Sequence, residues 1–306
     1  MYTDLMGKRR LKVGLHTHTT LSDGLKTPDE VIEIYKALGY DAIALTDHWV
    51  YSPGDMTRND ILLLPGCEYN VGGIKSEQGV YHIVGIGMPE DPKLSHDAIV
   101  TPESAPAEQA RTVIHAIRKA GGMAIFAHPA WSLNTPAQII EAGDADAMEI
   151  YNSVSDWEMS TRPYAGLLTD MIAAVGHYPP LIATDDTHYY TGEEGRGFIM
   201  LDADAVDAAG GGVAGIIHAV KNKDFYASQG PELHVIRVDE NTFKVICSPC
   251  AKIAFLSNIV WTKGRMHRGE NLTEATYTVV SGETFIRVEI TDKDGRMAWS
   301  SAIPLK

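Results

Sequence analysis

The stretch Leu11–Gly24, which reads LKVGLHTHTTLSDG, decides how the rest of the chain is interpreted. It begins as an apolar run and ends in the polar residues His16, His18 and Asp23. Side chains alternate between the two faces of an extended strand, so His16 and His18 point the same way. Two imidazoles on one face at the end of a strand form half of a site for a divalent metal ion. An isolated H-x-H also describes two surface or hydrogen-bonded histidines, so the later sequence has to decide between these interpretations.

The composition is that of an ordinary globular protein. The chain has 306 residues, of which 44% are hydrophobic and 22% charged, and this length allows one large domain or two. The formal net charge of -14 argues against a general affinity for nucleic acid or for anionic membranes. We find neither a bilayer-spanning apolar stretch nor a signal peptide, and three cysteines do not suggest a disulfide framework. We therefore expect a cytoplasmic protein without a membrane segment.

Short apolar strands and amphipathic helices alternate after Leu11. The helix after the first strand is predicted from Thr27 as N-cap, Pro28 in the first turn and Gly39 as the stop. Six further strands are predicted, in the segments DAIALTDH, ILLLPGCEYN, GVYHIVGIG, MAIFAHPA, DAMEIYN and PLIATDDTHYY. Further helices are predicted in AEQARTVIHAIRKA, Pro136–Ala142, Tyr164–Val175 and VAGIIHAVKN. This alternation predicts parallel β/α architecture, either a distorted seven-stranded barrel or an open doubly wound sheet.

The pattern changes near Pro231, where short alternating runs separated by turn residues begin. We predict two domains, a barrel over residues 1–230 and a small, sandwich-like antiparallel β domain over residues 231–306. The sequence does not choose between a lid, a dimer contact and a partner-binding role for the second domain. It contains Cys247 and Cys250 in CSPC, placed between two predicted strands, and this pair is half a zinc site, a redox motif or purely structural.

Polar residues gather where the predicted barrel strands end. The candidate metal ligands are His16, His18, Asp23, His48, Glu68, His82, His128, Asp186 and His188. All are nitrogen or oxygen donors, and Asp186-Thr187-His188 repeats the spacing of His16 and His18. Packing alone does not explain histidines at five separate strand ends with acids between them, so we predict a multinuclear metal site.

The motif order resembles that of the PHP (polymerase and histidinol phosphatase) family. The motifs are H-x-H followed by S-D-G, then T-D-H, G-C-E, a strand histidine, A-H-P and D-x-H. The resemblance covers about Leu11 to Gly230 and implies a distorted (β/α)7 barrel with two or three metals at the strand ends. The chain departs from some relatives in having Asp23 in place of a histidine, and in TDDTH where many relatives read S-D-A-H.

The resemblance also implies how the ligands divide among the metals. The first metal would be held by His16, His18, Glu68 and Asp186. Glu68 would bridge to a second metal on His82 and His128, and a third would be held by Asp23, His48 and His188. The ions would be manganese, iron or zinc, and Asp23, a hard oxygen donor, shifts the preference toward manganese or iron.

Such a trinuclear centre predicts hydrolysis by metal-activated hydroxide without a covalent enzyme intermediate. The predicted catalytic residues are Glu68, Asp186 and Asp47. Asp47 and Glu149 would orient ligand histidines or shuttle protons, and Asp185 is a candidate supporting group. Candidate substrate contacts are Arg162, Lys75 and Arg196, although the sequence favours solvated surface cations for each of the three. Trp131 is a further candidate, which would stack on a ring or pack its loop.

The leading hypothesis is a phosphoesterase acting on a small phosphorylated metabolite, either a monoester or a diester. An amide, carbamate or carboxylic-ester hydrolase on the same metals is the alternative. A third hypothesis is a non-catalytic metal-binding or nucleic-acid-associated module. The sequence leaves the substrate and the oligomeric state open.

Overall fold

The computed structural model describes residues 2–54, 57, 58 and 60–305. In the first two-thirds of the chain the strands are β1 (Tyr2–Thr3), β2 (Arg9–Gly14), β3 (Ala42–Ala44), β4 (Leu62–Leu64), β5 (Gly66–Gly72), β6 (Val80–Ile86), β7 (Met123–Phe126), β8 (Ala147–Asn152), β9 (Leu181–Thr184) and β10 (Phe198–Asp202). The remaining strands are β11 (Phe225–Ser228), β12 (Leu233–Arg237), β13 (Thr242–Leu256), β14 (Met266–Thr278), β15 (Phe285–Thr291), β16 (Met297–Trp299) and β17 (Ile303–Pro304).

The α-helices follow most of the barrel strands, as the sequence predicts. They are α1 (Pro28–Ala37), α2 (His96–Ile99), α3 (Pro106–Lys119), α4 (Pro136–Ala142), α5 (Gly166–Ala174), α6 (Ala203–Ala208) and α7 (Gly212–Lys221). A π-helical turn covers Ser155–Met159. None of the described helices has the length and apolar character needed to cross a membrane.

Local sequence explains the start of α1. Thr27 Oγ1 accepts a hydrogen bond from the backbone N–H of Glu30, and the Glu30 side chain accepts one from the backbone N–H of Thr27. This reciprocal capping box satisfies N–H groups that the first turn leaves without helical partners. Val31, Ile32 and Tyr35 then form the buried face of the helix. The predicted N-cap and helix are confirmed.

The barrel closes through two short bridges at the ends of its strands. In one sheet β2 pairs with β3 and β3 with β4, while the order in the other is β5-β6-β7-β8-β9. Parallel bridges join Thr17 to Thr187 and His48 to Glu68, so the two sheets meet on both sides. The distorted seven-stranded barrel is confirmed, and the open-sheet alternative is wrong.

Strand direction departs from the prediction at β6. This strand is antiparallel to both β5 and β7, whereas β7, β8 and β9 are parallel. Only residues 73–79 separate β5 from β6, too few for a helical crossover between parallel strands. Because β6 is reversed, His82 near its start lies beside the carboxyl ends of its neighbours.

The C-terminal strands extend the sheet that begins in the barrel. The order β12-β13-β15-β16-β11-β10-β2 is continuous, and β10, a strand that the sequence analysis missed, pairs antiparallel with β2. The predicted antiparallel β region is therefore present. A domain boundary at residue 230 stays a prediction.

The CSPC motif lies inside a single strand. The segments TFKVICS and KIAFLS were predicted as separate strands, but both belong to β13. The pairing of β13 with β14 shifts register between Ile246 and Cys250, which places Pro249 in a bulge where its missing N–H costs no ladder bond. Cys247 and Cys250 are buried, and their sulfur atoms are 3.7 Å apart.

A buried ion pair joins the C-terminal strands to the barrel. Arg287 on β15 donates from Nε to Asp170 Oδ1 at 2.7 Å and from Nη2 to Asp170 Oδ2 at 2.9 Å. Trp299, fully buried on β16, stacks on Tyr151 with ring centroids 5.5 Å apart. These contacts fix α5 and the end of β8 against the C-terminal strands.

Candidate metal centre

Four buried side chains meet in the first group: His16 and His18 after β2, Glu68 within β5, and Asp186 after β9. Nε2 of His16 lies 3.2 Å from Glu68 Oε2 and 3.0 Å from Asp186 Oδ1. Nε2 of His18 lies 3.0 Å and 3.1 Å from the same two oxygens. One donor atom from each residue thus converges on a single small volume, and the four are the set predicted for the first metal.

Glu68 also faces a second set of histidines with its other oxygen. Glu68 Oε1 lies 2.9 Å from His82 Nδ1 and 3.4 Å from His128 Nε2. Its Oε2 atom, which belongs to the first group, is also 3.3 Å from His48 Nδ1. A carboxylate with histidines around both oxygens has the geometry of a bridging ligand.

A third group surrounds Asp23, the most exposed of the candidate ligands. Asp23 Oδ1 lies 3.4 Å from His18 Nδ1 and 3.5 Å from His188 Nε2, and Asp23 Oδ2 lies 3.7 Å from His48 Nε2. His18 therefore presents one ring nitrogen to the first group and the other to Asp23. All nine predicted ligands come together at one end of the barrel.

Two buried atoms test whether these residues fit metal ions. His48 Nδ1 and Asp186 Oδ1 form no hydrogen bond of acceptable geometry among the described residues, although other candidate ligand atoms lie within 3.3 Å of each. Such atoms are costly to bury unless something pairs with them. Both face groups made only of imidazole and carboxylate, the donors that zinc, manganese and iron accept. The donor set fits divalent cations, and the ligand roles stay predictions.

Buried carboxylates and imidazoles lie close together in the candidate metal centre and shift one another's pKa values. Burial by itself would raise the pKa of Glu68, but His16, His48 and His82 outweigh it and hold that pKa well below its usual range. Burial opposes protonation of His16, yet Asp186, Glu68 and Glu149 raise the pKa of its ring well above the ordinary value. Burial lowers the pKa of His48 to about 4. The carboxylates therefore stay ionised and attract cations.

Comparison with known proteins gives the family. A family model described as the PHP domain matches residues 14–194, more than half of the chain. This chain belongs to the PHP domain family. A comparison with curated proteins gives no significant match.

Solved structures resemble the chain at low sequence identity. One is a two-domain protein from Bacteroides vulgatus ATCC 8482, described as containing a predicted PHP-like metal-dependent phosphoesterase. Its TM-score is 0.51 at 17% identity, over 99% of this chain and 98% of that one. An amidohydrolase from Chromobacterium violaceum with bound sulfate has a TM-score of 0.40 at 20% identity, over 59% of this chain and 89% of that one. The first similarity supports the fold over nearly the whole chain.

Glu149 lies behind the candidate ligands of this PHP domain and contacts two of them, His16 and His128. Its Oε1 atom is 2.8 Å from His16 Nδ1 and accepts a bond from Thr184 Oγ1, while Oε2 accepts the backbone N–H of His128. Asn152 Nδ2 donates to Glu149 Oε2 at 2.8 Å and to Asp186 Oδ2 at 3.0 Å. The sequence analysis missed Asn152, although its place at the end of β8 was a usable signal.

Asp47 organises the loop that carries Asp23. Its carboxylate accepts bonds from the backbone N–H and hydroxyl of Thr19 and from the backbone N–H and hydroxyl of Ser22. These contacts hold a loop and not a histidine ring. Proton transfer by Asp47 stays a prediction.

Gly24 completes that loop. A Cβ atom at this position would lie 2.5 Å from the carbonyl oxygen of His18 and 2.7 Å from the backbone nitrogen of Thr19. The glycine of the S-D-G motif is therefore required by close backbone approach.

Two buried carboxylates shape the loop after β9. Asp185 accepts the backbone N–H groups of Gly195, Arg196 and Gly197 and the hydroxyl of Tyr35. Glu193, which the sequence analysis missed, accepts the backbone N–H groups of residues 188–191. The contacts of Asp185 hold this loop and do not reach a candidate ligand, so a supporting role for Asp185 at the metal centre stays a prediction.

The backbone is strained at two ligands. His128 has φ of 26° and Asp186 has φ of 53°, values that residues other than glycine rarely adopt. Strain of this kind persists where the surrounding structure enforces it and clusters at functional sites. At Asp186 the enforcing contacts include its backbone N–H bond to the carbonyl of His16.

A cavity of about 230 Å³ opens over the centre. Its described lining consists of Asp23, His48, Glu68, His82, His128, Trp131, Met159, Asp186 and His188. Trp131 is thus beside the ligands, and Met159 was missed. Arg162, Lys75 and Arg196 are exposed and are not among these lining residues, so substrate binding by them stays a prediction.

Proposed function

We propose that this PHP domain protein is a metal-dependent hydrolase that cleaves a phosphate ester of a small metabolite, a monoester or a diester. The observation that carries the proposal is the position of Glu68, whose two oxygens face different groups of histidines. This arrangement supports two or three divalent ions side by side. When bound, such ions supply Lewis acidity that lowers the pKa of water and neutralises charge on phosphoryl oxygens.

The protein's own residues would prepare the site for those ions. Glu149 would accept the Nδ1 proton of His16, which leaves Nε2 as a lone-pair donor toward the first group. The bond from Asn152 to Asp186 Oδ2 leaves Oδ1 directed at the same group. Glu68 and Asp186 then act as catalytic ligands, and manganese, iron and zinc are the candidate ions.

The test is hydrolysis by protein loaded with manganese. We expect turnover of an aryl phosphate or a bis-aryl phosphate, and we expect Glu68→Ala and His16→Ala to abolish it through loss of metal. The matched control is His115→Ala, because His115 is exposed on α3 and is not among the candidate ligands or the described lining of the cavity. Circular dichroism shows whether each variant keeps its fold, and elemental analysis gives its metal content.

Three results would overturn the proposal. Strong turnover of aryl esters or amides without any phosphate activity would establish the alternative hydrolase. Full turnover by folded Glu68→Ala would remove the metal centre from the reaction. Stoichiometric metal without turnover of any substrate would favour a non-catalytic module.

A further inference from the structure

The wall of the cavity over the metal centre contains two side chains that are not candidate ligands. They are Trp131, in the loop after β7, and Met159, at the end of the π-helical turn after β8. Both are apolar over most of their surface. A part of the substrate that the candidate ligands do not bind would therefore contact the indole of Trp131 and the thioether of Met159.

Trp131 is held in place by the ligand histidines. Its ring centroid lies 4.9 Å from that of His128 at an interplanar angle of 83°, and 5.9 Å from that of His82 at 66°. Edge-to-face contacts of this kind are favourable for aromatic rings and fix their orientation. The indole thus has a defined place beside the histidines that contact Glu68 Oε1.

Met159 belongs to the π-helical turn Ser155–Met159, which side-chain hydrogen bonds hold in place. Asn152 Oδ1 accepts bonds from the backbone N–H and the hydroxyl of Ser155, where the turn begins. Trp157 Nε1 donates to the carbonyl oxygen of Thr191 at 3.1 Å. The turn is fixed, while the unbranched thioether side chain can adapt to the group it touches.

The described lining of the cavity contains no lysine or arginine. Arg162, three residues after Met159, is exposed and is not among the described lining residues. Arg196, eight residues after His188, places its guanidinium 4.0 Å from the ring centroid of Trp157 and donates from Nε to the carbonyl of Gly192. A substrate with a second anionic group would therefore find no cationic side chain in the lining to pair with it. Burying such a charge without a partner is costly.

We propose that the leaving group of the substrate is an uncharged, planar aromatic alcohol that binds against Trp131 and Met159. This inference rests on the proposed phosphoesterase function and adds its substrate class. In the reaction water adds to phosphorus, the bond from phosphorus to the leaving oxygen breaks, and that oxygen takes a proton. The products are inorganic phosphate and the aromatic alcohol, and the small cavity suits such a compact ester.

The experiment compares three phosphate monoesters whose alcohols have similar acidity. They are benzyl phosphate, cyclohexylmethyl phosphate and 4-carboxybenzyl phosphate, each assayed with the manganese-loaded protein. We expect kcat/KM to be highest for benzyl phosphate and about tenfold lower for 4-carboxybenzyl phosphate, which carries a second anion.

Variants separate ring recognition from damage to the metal centre. Trp131→Ala should lower kcat/KM for benzyl phosphate about tenfold, mainly through KM, while Trp131→Phe keeps most of it. Competitive inhibition by inorganic phosphate should be unchanged in Trp131→Ala, because the ligands remain. Trp261→Ala is the matched control, since Trp261 is 79% exposed in the connection from β13 to β14.

The possible failures are distinguishable. If 4-carboxybenzyl or cyclohexylmethyl phosphate is cleaved as well as benzyl phosphate, the substrate class is wrong and the phosphoesterase function stands. If Trp131→Ala weakens phosphate inhibition as much as it weakens benzyl phosphate turnover, the indole acts through His128 and the inference is overturned. If none of the three esters is cleaved while the aryl phosphate or the bis-aryl phosphate is, the inference falls and the proposed function stands. If no phosphate ester of either panel is cleaved, both fall.

Discussion

The Nδ1 atom of His16 lies 2.8 Å from Oε1 of Glu149, a residue 133 positions later in the chain. Both side chains are buried, and Glu149 uses its other oxygen to accept the backbone N–H of His128. The Glu149 carboxylate thus orients the His16 ring in the first group. It also fixes the end of β7, which is followed by His128, one of the histidines that face Glu68 Oε1.

This relationship predicts the effect of Glu149→Gln. The amide keeps the size of the side chain but loses the charge that stabilises the His16 ring, so metal affinity should fall about 10–100-fold. Competition with a fluorescent chelator measures the change. Glu141→Gln, on the exposed surface of α4, is the control and should bind metal normally. Unchanged affinity in Glu149→Gln would show that this contact is only structural.

Metal removal should destabilise the protein. Cations that bind only the folded state stabilise it in proportion to the logarithm of their concentration, by about 2.7 kcal/mol at 100 times the dissociation constant. We therefore expect EDTA to lower the Tm by several degrees and added manganese to restore it. Differential scanning calorimetry measures both steps. An identical Tm with EDTA and with manganese would contradict a metal centre at His16, His18, Glu68 and Asp186.

Gly24→Ala should damage the site selectively. The added methyl group would meet the backbone of His18 and Thr19, which cannot move without moving the ligand loop, at a cost of about 1–3 kcal/mol. We expect the variant to fold and to bind one metal equivalent fewer than the wild type, as Asp23→Asn should. Elemental analysis after dialysis gives the stoichiometry, and a full complement of metal in Gly24→Ala would refute the prediction.

Arg287→Ala should destabilise the contact between β15 and α5. It leaves Asp170 without its bidentate partner. Arg287 is buried but the Asp170 side chain is 23% exposed, so the loss should lie between the cost for an exposed pair and the cost of about 3–5 kcal/mol for a fully buried one. Lys244→Ala is the comparison, because Lys244 and Glu274 form an exposed pair worth less than about 1 kcal/mol. Urea unfolding measures the free energy of both variants. Equal losses would mean that the Arg287 pair is no stronger than a surface one.

Local rules explain why much of the fold could be predicted. The cap at Thr27 and the extent of α4 depend on residues within one turn of each other, and both agree with the structure. The direction of β6 follows from its short connection to β5, which strand periodicity does not take into account, whereas the continuity of β13 depends on pairing with β14 and β15. Because neither is encoded by periodicity, the sequence analysis got both wrong.

The residues of the site also divide into those that local sequence could identify and those that only distant contacts make important. Ligand candidates were recognisable because histidine and carboxylate at strand ends are distinctive donors. Asn152 and Glu193 are ordinary polar residues in sequence, and their importance depends on what folding places beside them, Asp186 in one case and the backbone of residues 188–191 in the other.

The sequence by itself determined the alternating β/α architecture, the strand ends that carry histidines and the H-x-H pair of His16 and His18, because alternation and spacing act over a few residues. It left the barrel and the open sheet as alternatives, which the bridges between the two sheets decided. Only the tertiary structure decided that both oxygens of Glu68 face histidines, that Glu149 supports His16, and that Trp131 and Met159 line the cavity. These are contacts between residues distant in sequence, and closure of the barrel creates them.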